Sequence, residues 1–270
     1  MQKKLDDFKK IVWNYYIINK RDTLAWRKTT DPYKILVSEI MLQQTQVGRV
    51  IKKYNLFISK FPTVFDLAHA SLGEVLAIWQ GLGYNRRAKY LKAAAEQIVR
   101  EHRGKFPKTV EELVKLPGVG KATASAVLTY AFNKPIPFIE TNIRTVFIHH
   151  FFDEKMQVTD SDLLELVSKT LDTNNPREWN FALMDYGTHL KQTLGNKSRQ
   201  SAAYAKQSIF KGSWREKRGK VIRLLVAQKK LSRKELAKNI ILTSEELDRL
   251  LDELMREGMI TREGKMYSLG

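Results

Sequence analysis

The chain has 270 residues, enough for two or three small domains with a substantial core, and it lacks cysteine altogether. That excludes disulfides, thiolate zinc sites, iron–sulfur ligation and a cysteine nucleophile. Its 47 Lys and Arg against 29 Asp and Glu leave a formal charge of +18, which favours a polyanionic partner because neutralised phosphates release counterions. The mean hydropathy of −0.38 fits a soluble protein. No apolar run approaches the ~18 residues of a membrane span, and the first residues lack a signal peptide's apolar core, so a cytoplasmic or nucleoid location is expected.

Helical periodicity dominates the first 190 residues, broken by turn signals such as Asp31-Pro32, Phe61-Pro62, Gly81-Leu-Gly83, Pro117-Gly118 and Asn133-Lys-Pro135. These predict a multi-helix domain over 1–190. Residues 32–47 read as one helix in which Glu39 shares a stripe with Ile35, Leu36 and Leu42, one turn before Gln43. An acid there is costly unless paired or protonated, and desolvation would raise its pKa toward the range a general acid needs. On these residues alone a solvated or ion-paired glutamate is the simpler reading.

Further along, residues 113–126 read Leu-Val-Lys-Leu-Pro-Gly-Val-Gly-Lys-Ala-Thr-Ala-Ser-Ala. Pro117 closes one helix, Gly118 and Gly120 allow a tight turn, and the next helix opens with free N–H groups able to bind a phosphate without reading sequence. Lys121 adds charge, and Ala122, Ala124, Ser125 and Ala126 let the second helix pack closely.

Residues 186–220 carry nine Lys or Arg and one acid, Glu216, and residues 191–214 are expected to form a basic linker or strap. From 215 onward, helical patterns at 221–227 and 233–238 precede a third helix with a capping-box start at Thr243 and Glu246. Two short strand patterns around Gly264 complete a winged-helix-like domain over 215–270. Its third helix holds Glu245, Glu246, Asp248, Asp252 and Glu253, poor chemistry for facing phosphates. A DNA-reading role and a protein-contact or structural role both stay open.

The strings Ser38-Glu-Ile-Met-Leu-Gln-Gln-Thr-Gln-Val47, Trp79-Gln-Gly-Leu-Gly-Tyr84, Arg87-Ala88, Leu116-Pro-Gly-Val-Gly120, Asn142-x-Arg144 and Met184-Asp-x-Gly187 occur in that order. Together they resemble the helix-hairpin-helix (HhH-GPD) DNA glycosylase superfamily, and within it the MutY adenine glycosylase and endonuclease III family. The resemblance covers about residues 10–190. It implies an all-α HhH-GPD glycosylase fold of two helical subdomains, ahead of the winged-helix-like domain. It also implies a monomeric base-excision-repair enzyme that binds double-stranded DNA, flips a mispaired or damaged base and hydrolyses its N-glycosidic bond.

Carried over by position, Glu39 is the general acid, with Glu140 and Asn142 as its catalytic companions. Gln43, Gln44 and Tyr84 fill the gap left by the flipped base. Arg86, Arg87, Gly118, Val119, Gly120, Lys121 and Thr123 contact DNA. A Na+ or K+ ion at the hairpin carbonyls follows from the same likeness; the lack of cysteine and the scattered histidines leave no other metal or cofactor expected, and the acidic third helix leaves a protein contact through the C-terminal domain open.

The departures are informative. Glu140 stands where the family has aspartate; a plain helix N-cap is its alternative role. Ala122 replaces the lyases' lysine, which implies a monofunctional enzyme. The four-cysteine iron–sulfur loop is absent, and packing by residues 204–214 is expected in its place. No 8-oxoguanine-reading domain is recognisable. Adenine opposite 8-oxoguanine or guanine is the expected target, with a mismatched or damaged pyrimidine, and a non-catalytic DNA-binding protein, as alternatives.

Overall fold

A computed structural model describes residues 2–153, 157–206 and 208–270. The helices, in chain order, begin with α1 (Gln2–Asn19), α2 (Pro32–Leu42), α3 (Val47–Lys60), α4 (Val64–His69) and α5 (Leu72–Trp79). Then come α6 (Asn85–His102), α7 (Val110–Leu113), α8 (Lys121–Phe132), α9 (Thr141–Phe151), α10 (Asp160–Thr170) and α11 (Pro176–Thr193). The C-terminal region adds α12 (Trp214–Gln228), β1 (Lys230–Ser232), α13 (Arg233–Asn239), α14 (Ser244–Arg256), β2 (Ile260–Glu263) and β3 (Met266–Leu269). Capping boxes at Thr63, Ser71, Thr159, Ser232 and Thr243 explain why α4, α5, α10, α13 and α14 start where they do. Among the described residues no helix is long and apolar enough to cross a membrane.

The chain divides into two compact units. The first comprises Met1–Glu39, Lys108–Lys115 and Val119–Lys206. Here α11 packs on α1 and α9 around Phe8, Phe147 and Trp179, whose rings meet at centroid distances of 5.0 and 6.1 Å from Phe8. Gly187 sets the tightest point of this packing. A Cβ there would lie 2.4 Å from the Asn142 carbonyl oxygen, so only glycine lets α11 meet the start of α9 backbone to backbone.

The second unit comprises Ile40–Pro107, Leu116–Gly118 and Gln207–Gly270. Helix α3 buries Val50, Tyr54 and Phe57 at helical spacing, α5 buries Val75, Leu76 and Trp79, and both line the core beneath α6. The winged-helix-like region lies within this unit, where α12 packs on α5. Its three strands form an antiparallel sheet in the order β1-β3-β2, with Tyr267 opposite both Leu231 and Arg262. The hairpin turns at Gly264, where φ is +58°. Strand β1 is an addition to the sequence reading, which had no alternation to work with in three residues.

Two readings need correction. The helix expected over 32–47 ends at Leu42, and Gln44 takes a left-handed φ of +52° in the turn before α3. Arg87 explains the break: its Nη1 donates to the Ile40 and Met41 carbonyls at 2.7 and 3.0 Å, supplying the partners that helix continuation would otherwise provide. The strap expected to begin at 191 starts later, because α11 runs on to Thr193. Within 204–214, residues 204–206 and 208–212 are exposed rather than packed, and Gln207 lies outside the described residues.

Candidate active site

The carboxylate cluster lies in the first unit. Glu39, near the end of α2, follows the fully buried Ile35, Leu36 and Val37 and the buried Ser38. The residue keeps some solvent access, but protein surrounds its carboxyl. Burial, reinforced by the nearby negative charge of Glu140 and only partly offset by Arg27, pushes its pKa up to about 8. Arg27 is not free to neutralise it. Its guanidinium forms a fork with Asp185 at 2.8 and 2.6 Å and stacks 4.5 Å from the centre of the Phe181 ring. Arg21 also donates to Asp185, through Nε at 2.5 Å.

Glu140 caps α9. Its Oε1 accepts from the Asn142 and Ile143 backbone N–H groups at 2.5 and 2.7 Å, so the N-cap alternative is real. Capping also fixes the carboxylate at the positive end of the helix beside Glu39. Desolvation raises the Glu140 pKa, while Lys191 and the two backbone bonds oppose the rise. Asn142 joins the set, with Nδ2 donating to Glu140 Oε2 at 3.2 Å. Tyr130 of α8 completes the surroundings, buried and stacked on Phe181 at 4.6 Å. Desolvation raises its pKa well above the ordinary value, and Glu39 and Glu140 push the same way.

The second unit holds the residues expected to enter or support the base stack. Tyr84 opens α6 in a left-handed conformation at φ +49°. The Arg87 and Arg215 guanidinium groups lie 5.2 and 5.4 Å from the centre of its ring, and its hydroxyl accepts from Arg215 at 2.6 Å. Gln43 is half-buried and Gln44 exposed in the turn after α2. Arg87 ties that turn to the loop before Tyr84, since Nη2 donates to Thr45 Oγ1 at 2.9 Å and more weakly to the Leu82 and Gly83 carbonyls.

Arg87 was expected on the DNA face and is instead only 9% exposed, with its guanidinium Nη atoms bonded to the turn after α2 and the loop before Tyr84. Burial brings its pKa down to about 10, which leaves it charged at neutral pH. Arg86 is exposed and paired with Glu257.

In the hairpin, Gly118 takes φ +75° against the Tyr90 side chain, and a Cβ there would come within 2.8 Å of Tyr90 Cβ. The Val119 side chain is buried, so only its backbone remains for a phosphate contact. Gly120 is the N-cap of α8 and supplies no side-chain cap; Lys121 is exposed and Thr123 half-buried.

Comparison with known proteins agrees with this architecture. Residues 37–169 match the HhH-GPD superfamily base excision DNA repair proteins. An adenine DNA glycosylase of Mycobacterium tuberculosis is 30% identical over 279 residues, which takes in 96% of this chain and 91% of that protein. The chain belongs to the HhH-GPD superfamily. An adenine DNA glycosylase of Buchnera aphidicola is 36% identical over 184 residues, or 67% of this HhH-GPD chain and 52% of that protein. The chain thus spans about half the length of that relative. Among solved structures, a thermostable thymine-DNA glycosylase matches with a TM-score of 0.62 and 29% identity over 69% of this chain and 87% of its own.

The residues of this HhH-GPD protein do not fit an iron–sulfur cluster. The chain has no cysteine, and among the described residues no group of three or more His, Asp or Glu side chains could hold a metal ion. Sequence reasoning missed Arg27, Tyr130, Asp185 and Lys191 as neighbours of the carboxylates. Arg27 and Tyr130 carry no local pattern, and Asp185, though it stands in the Met184-Asp-x-Gly187 string, meets them only through the packing of α8 and α11 with the segment before α2. Lys191 had a signal, since it continues the helical run one turn after Gly187.

Proposed function

We propose that this protein is a monofunctional base-excision-repair DNA glycosylase that acts on adenine mispaired with 8-oxoguanine or guanine. The observation that carries the reading is the division of labour between Glu39 and Glu140. Burial raises the pKa of both carboxyls, but Glu39 is left in its acid form at neutral pH, whereas at Glu140 a lysine and two backbone N–H groups work against the rise. In this scheme Glu39 gives its proton to a ring nitrogen of the flipped base as the bond from that base to C1′ breaks. Glu140 stabilises the positive charge left on the sugar. Water adds to C1′, its proton passes to Glu140 or solvent, and the product is an abasic site in an unbroken strand.

The charge of +18 supports double-stranded DNA as the partner. Tyr84 and the Gln43-Gln44 turn are the groups suited to filling the vacated stack, whose opening costs a few kcal/mol. Ala122, in place of a lysine, supports the absence of strand cleavage. An alkali ion held by main-chain oxygens of the hairpin turn would add charge toward a phosphate and take no part in bond breaking. The acidic side chains Asp248, Glu253 and Glu257 find basic partners inside their own unit, which favours a structural role for the winged-helix-like region.

A second reading, removal of a mismatched pyrimidine, is favoured by one observation, the 29% identity to a thymine-DNA glycosylase most of whose length is matched. Duplexes containing A·8-oxoG, A·G, G·T or G·U, treated with alkali after incubation, separate the two. Adenine-directed activity predicts cleavage of the A-strand in the first two duplexes only. Release of T or U alone would replace it with the second reading, and no release from any duplex would overturn both.

A further inference from the structure

Lys191 sits in the last turn of α11, where a lysine usually serves the helix dipole or solvent. Its geometry serves neither. Gly187, one turn earlier, brings α11 against the start of α9, and the residue four positions on is thereby delivered to the same place. Lys191 Nζ donates to Asn142 Oδ1 at 2.8 Å. Asn142 Nδ2 donates in turn to Glu140 Oε2 at 3.2 Å, so the amide is oriented by a cation on one side and a carboxylate on the other.

A cation at this spot is electrostatically out of place. The N-terminus of α9 is the positive end of its dipole, and Arg144 adds a like charge. Burial disfavours the ammonium further, and Glu140 acts to keep it charged. Among the other groups around the pair, Glu39 of α2 repels Glu140, Tyr130 of α8 is neutral, and Arg27 is taken up by Asp185 of α11. Arg144 is engaged with Asp160 at 2.7 Å. Lys191 is therefore the cation that a separate helix brings to Glu140, with its ammonium anchored on Asn142.

We propose that Lys191 is a positioning residue of the base-release site: its ammonium orients Asn142 and holds the Glu140 carboxylate as an anion toward the sugar cation formed when the glycosidic bond breaks. This rests on the glycosylase reading. The proton separates cleanly between two buried carboxyls only if something distinguishes them, and a cation beside one of them does so. Without Lys191 only the backbone N–H groups and Arg144 would set Glu140 apart from Glu39, and the two carboxyls would compete more closely for one proton.

The test compares wild type with Lys191→Met and Lys191→Arg on the duplex the wild type cleaves, under single-turnover conditions, across pH. Lys191→Met is expected to slow base release on the order of 10- to 100-fold, as for loss of one charge-stabilising group, with duplex affinity little changed. The acid limb of its pH–rate profile should move to higher pH, because Glu140 loses the charge that resists its protonation. Lys191→Arg should restore most of the rate and the profile. If the Met variant does not fold, Lys191→Gln, which keeps a donor without charge, serves in its place. An unmoved pH profile would overturn the proposal, as would a borohydride-trapped DNA adduct that disappears with Lys191, which would make it a nucleophile. Carboxyl NMR titration of Glu140 in the same variants needs no activity. A raised Glu140 pKa in the Met variant of an enzyme that releases no base would sink the glycosylase reading while sustaining the electrostatic coupling, and an unchanged pKa would sink the coupling itself.

Discussion

Glu39 and Glu257 are the same residue type pushed in opposite directions within one chain, the first to a pKa of about 8 and the second to about 2. Desolvation acts upward on both. At Glu39 the opposing arginine, Arg27, is committed to Asp185, so burial wins and the acid form persists at neutral pH. At Glu257 hydrogen bonds from Arg86 and Arg218 outweigh the burial, and the anion persists far into the acid range. What distinguishes a carboxyl kept in its acid form from one kept as the anion here is whether the neighbouring cations are already spoken for. Depth alone does not decide it.

The sharpest way to break this contrast is Glu39→Gln. Removing the proton donor should cut base release on the order of 10³-fold and leave duplex binding intact, measured by single-turnover kinetics and by fluorescence anisotropy. The wild-type rate should fall as pH rises through about 8, the value at which Glu39 loses its proton. The same raised pKa has a stability consequence. A carboxyl whose folded pKa lies above its ordinary value leaves folding undisturbed below that ordinary value and weakens it as pH climbs to the folded pKa. Relative to wild type, Glu39→Gln should therefore gain roughly 2–4 kcal/mol between pH 4 and pH 9, at about 1.4 kcal/mol for each tenfold change in proton affinity, less a discount for residual solvent access. Equal denaturation midpoint differences at both pH values would remove the claim that Glu39 is held as an acid.

The helices were legible in the sequence wherever apolar spacing and caps coincided, as in α14 with Thr243 and the leucines at 247, 250, 251 and 254. Glu39 stood out as an acid on an apolar stripe, but the stripe alone favoured a solvated or ion-paired glutamate, and its place among the site candidates came from the family likeness. What decides its chemistry was not legible, because Arg27, Tyr130 and Asp185 come together only through tertiary packing. The end of α2 was misread for a related reason. Nothing between 32 and 47 breaks a helix locally, and the group that ends it, Arg87, lies more than forty residues away in sequence. Lys191 continues a helical run one turn after Gly187, but its charge was read as one among many in a basic stretch, so that signal went unused.

A second, smaller disturbance would loosen the packing that holds the buried set while keeping every charge in place. Gly187→Ala puts a methyl group where the Asn142 carbonyl already lies, and neither helix backbone can turn aside as a flexible side chain could. The expected cost is about 1–3 kcal/mol, as for other overpacked sites, read from urea unfolding. Base release should fall with it, since α11 carries Lys191 away from Asn142. A variant as stable and as active as wild type would mean that the close approach of α9 and α11 does not organise the carboxylates.

The smallest effect belongs to the structural carboxylate. Glu257→Gln keeps a hydrogen-bond acceptor for Arg86 and Arg218 and removes only the charge. Because Arg86 and its pair are partly exposed, solvent screening limits the loss to about 1 kcal/mol at pH 7. The sign of the pH dependence is opposite to that at Glu39. A carboxyl whose folded pKa is depressed contributes stability above its ordinary value and loses it as pH falls toward the folded pKa, so the difference between wild type and variant should shrink between pH 4.5 and about 2. It should also shrink at 1 M salt, where the Debye length is about 3 Å. Unfolding measured at low and high salt across that range separates the alternatives. A Gln variant more stable than wild type at pH 7, with the gap closing toward acid, would mean that burial governs Glu257 as it governs Glu39, and the distinction between engaged and unengaged cations would fail.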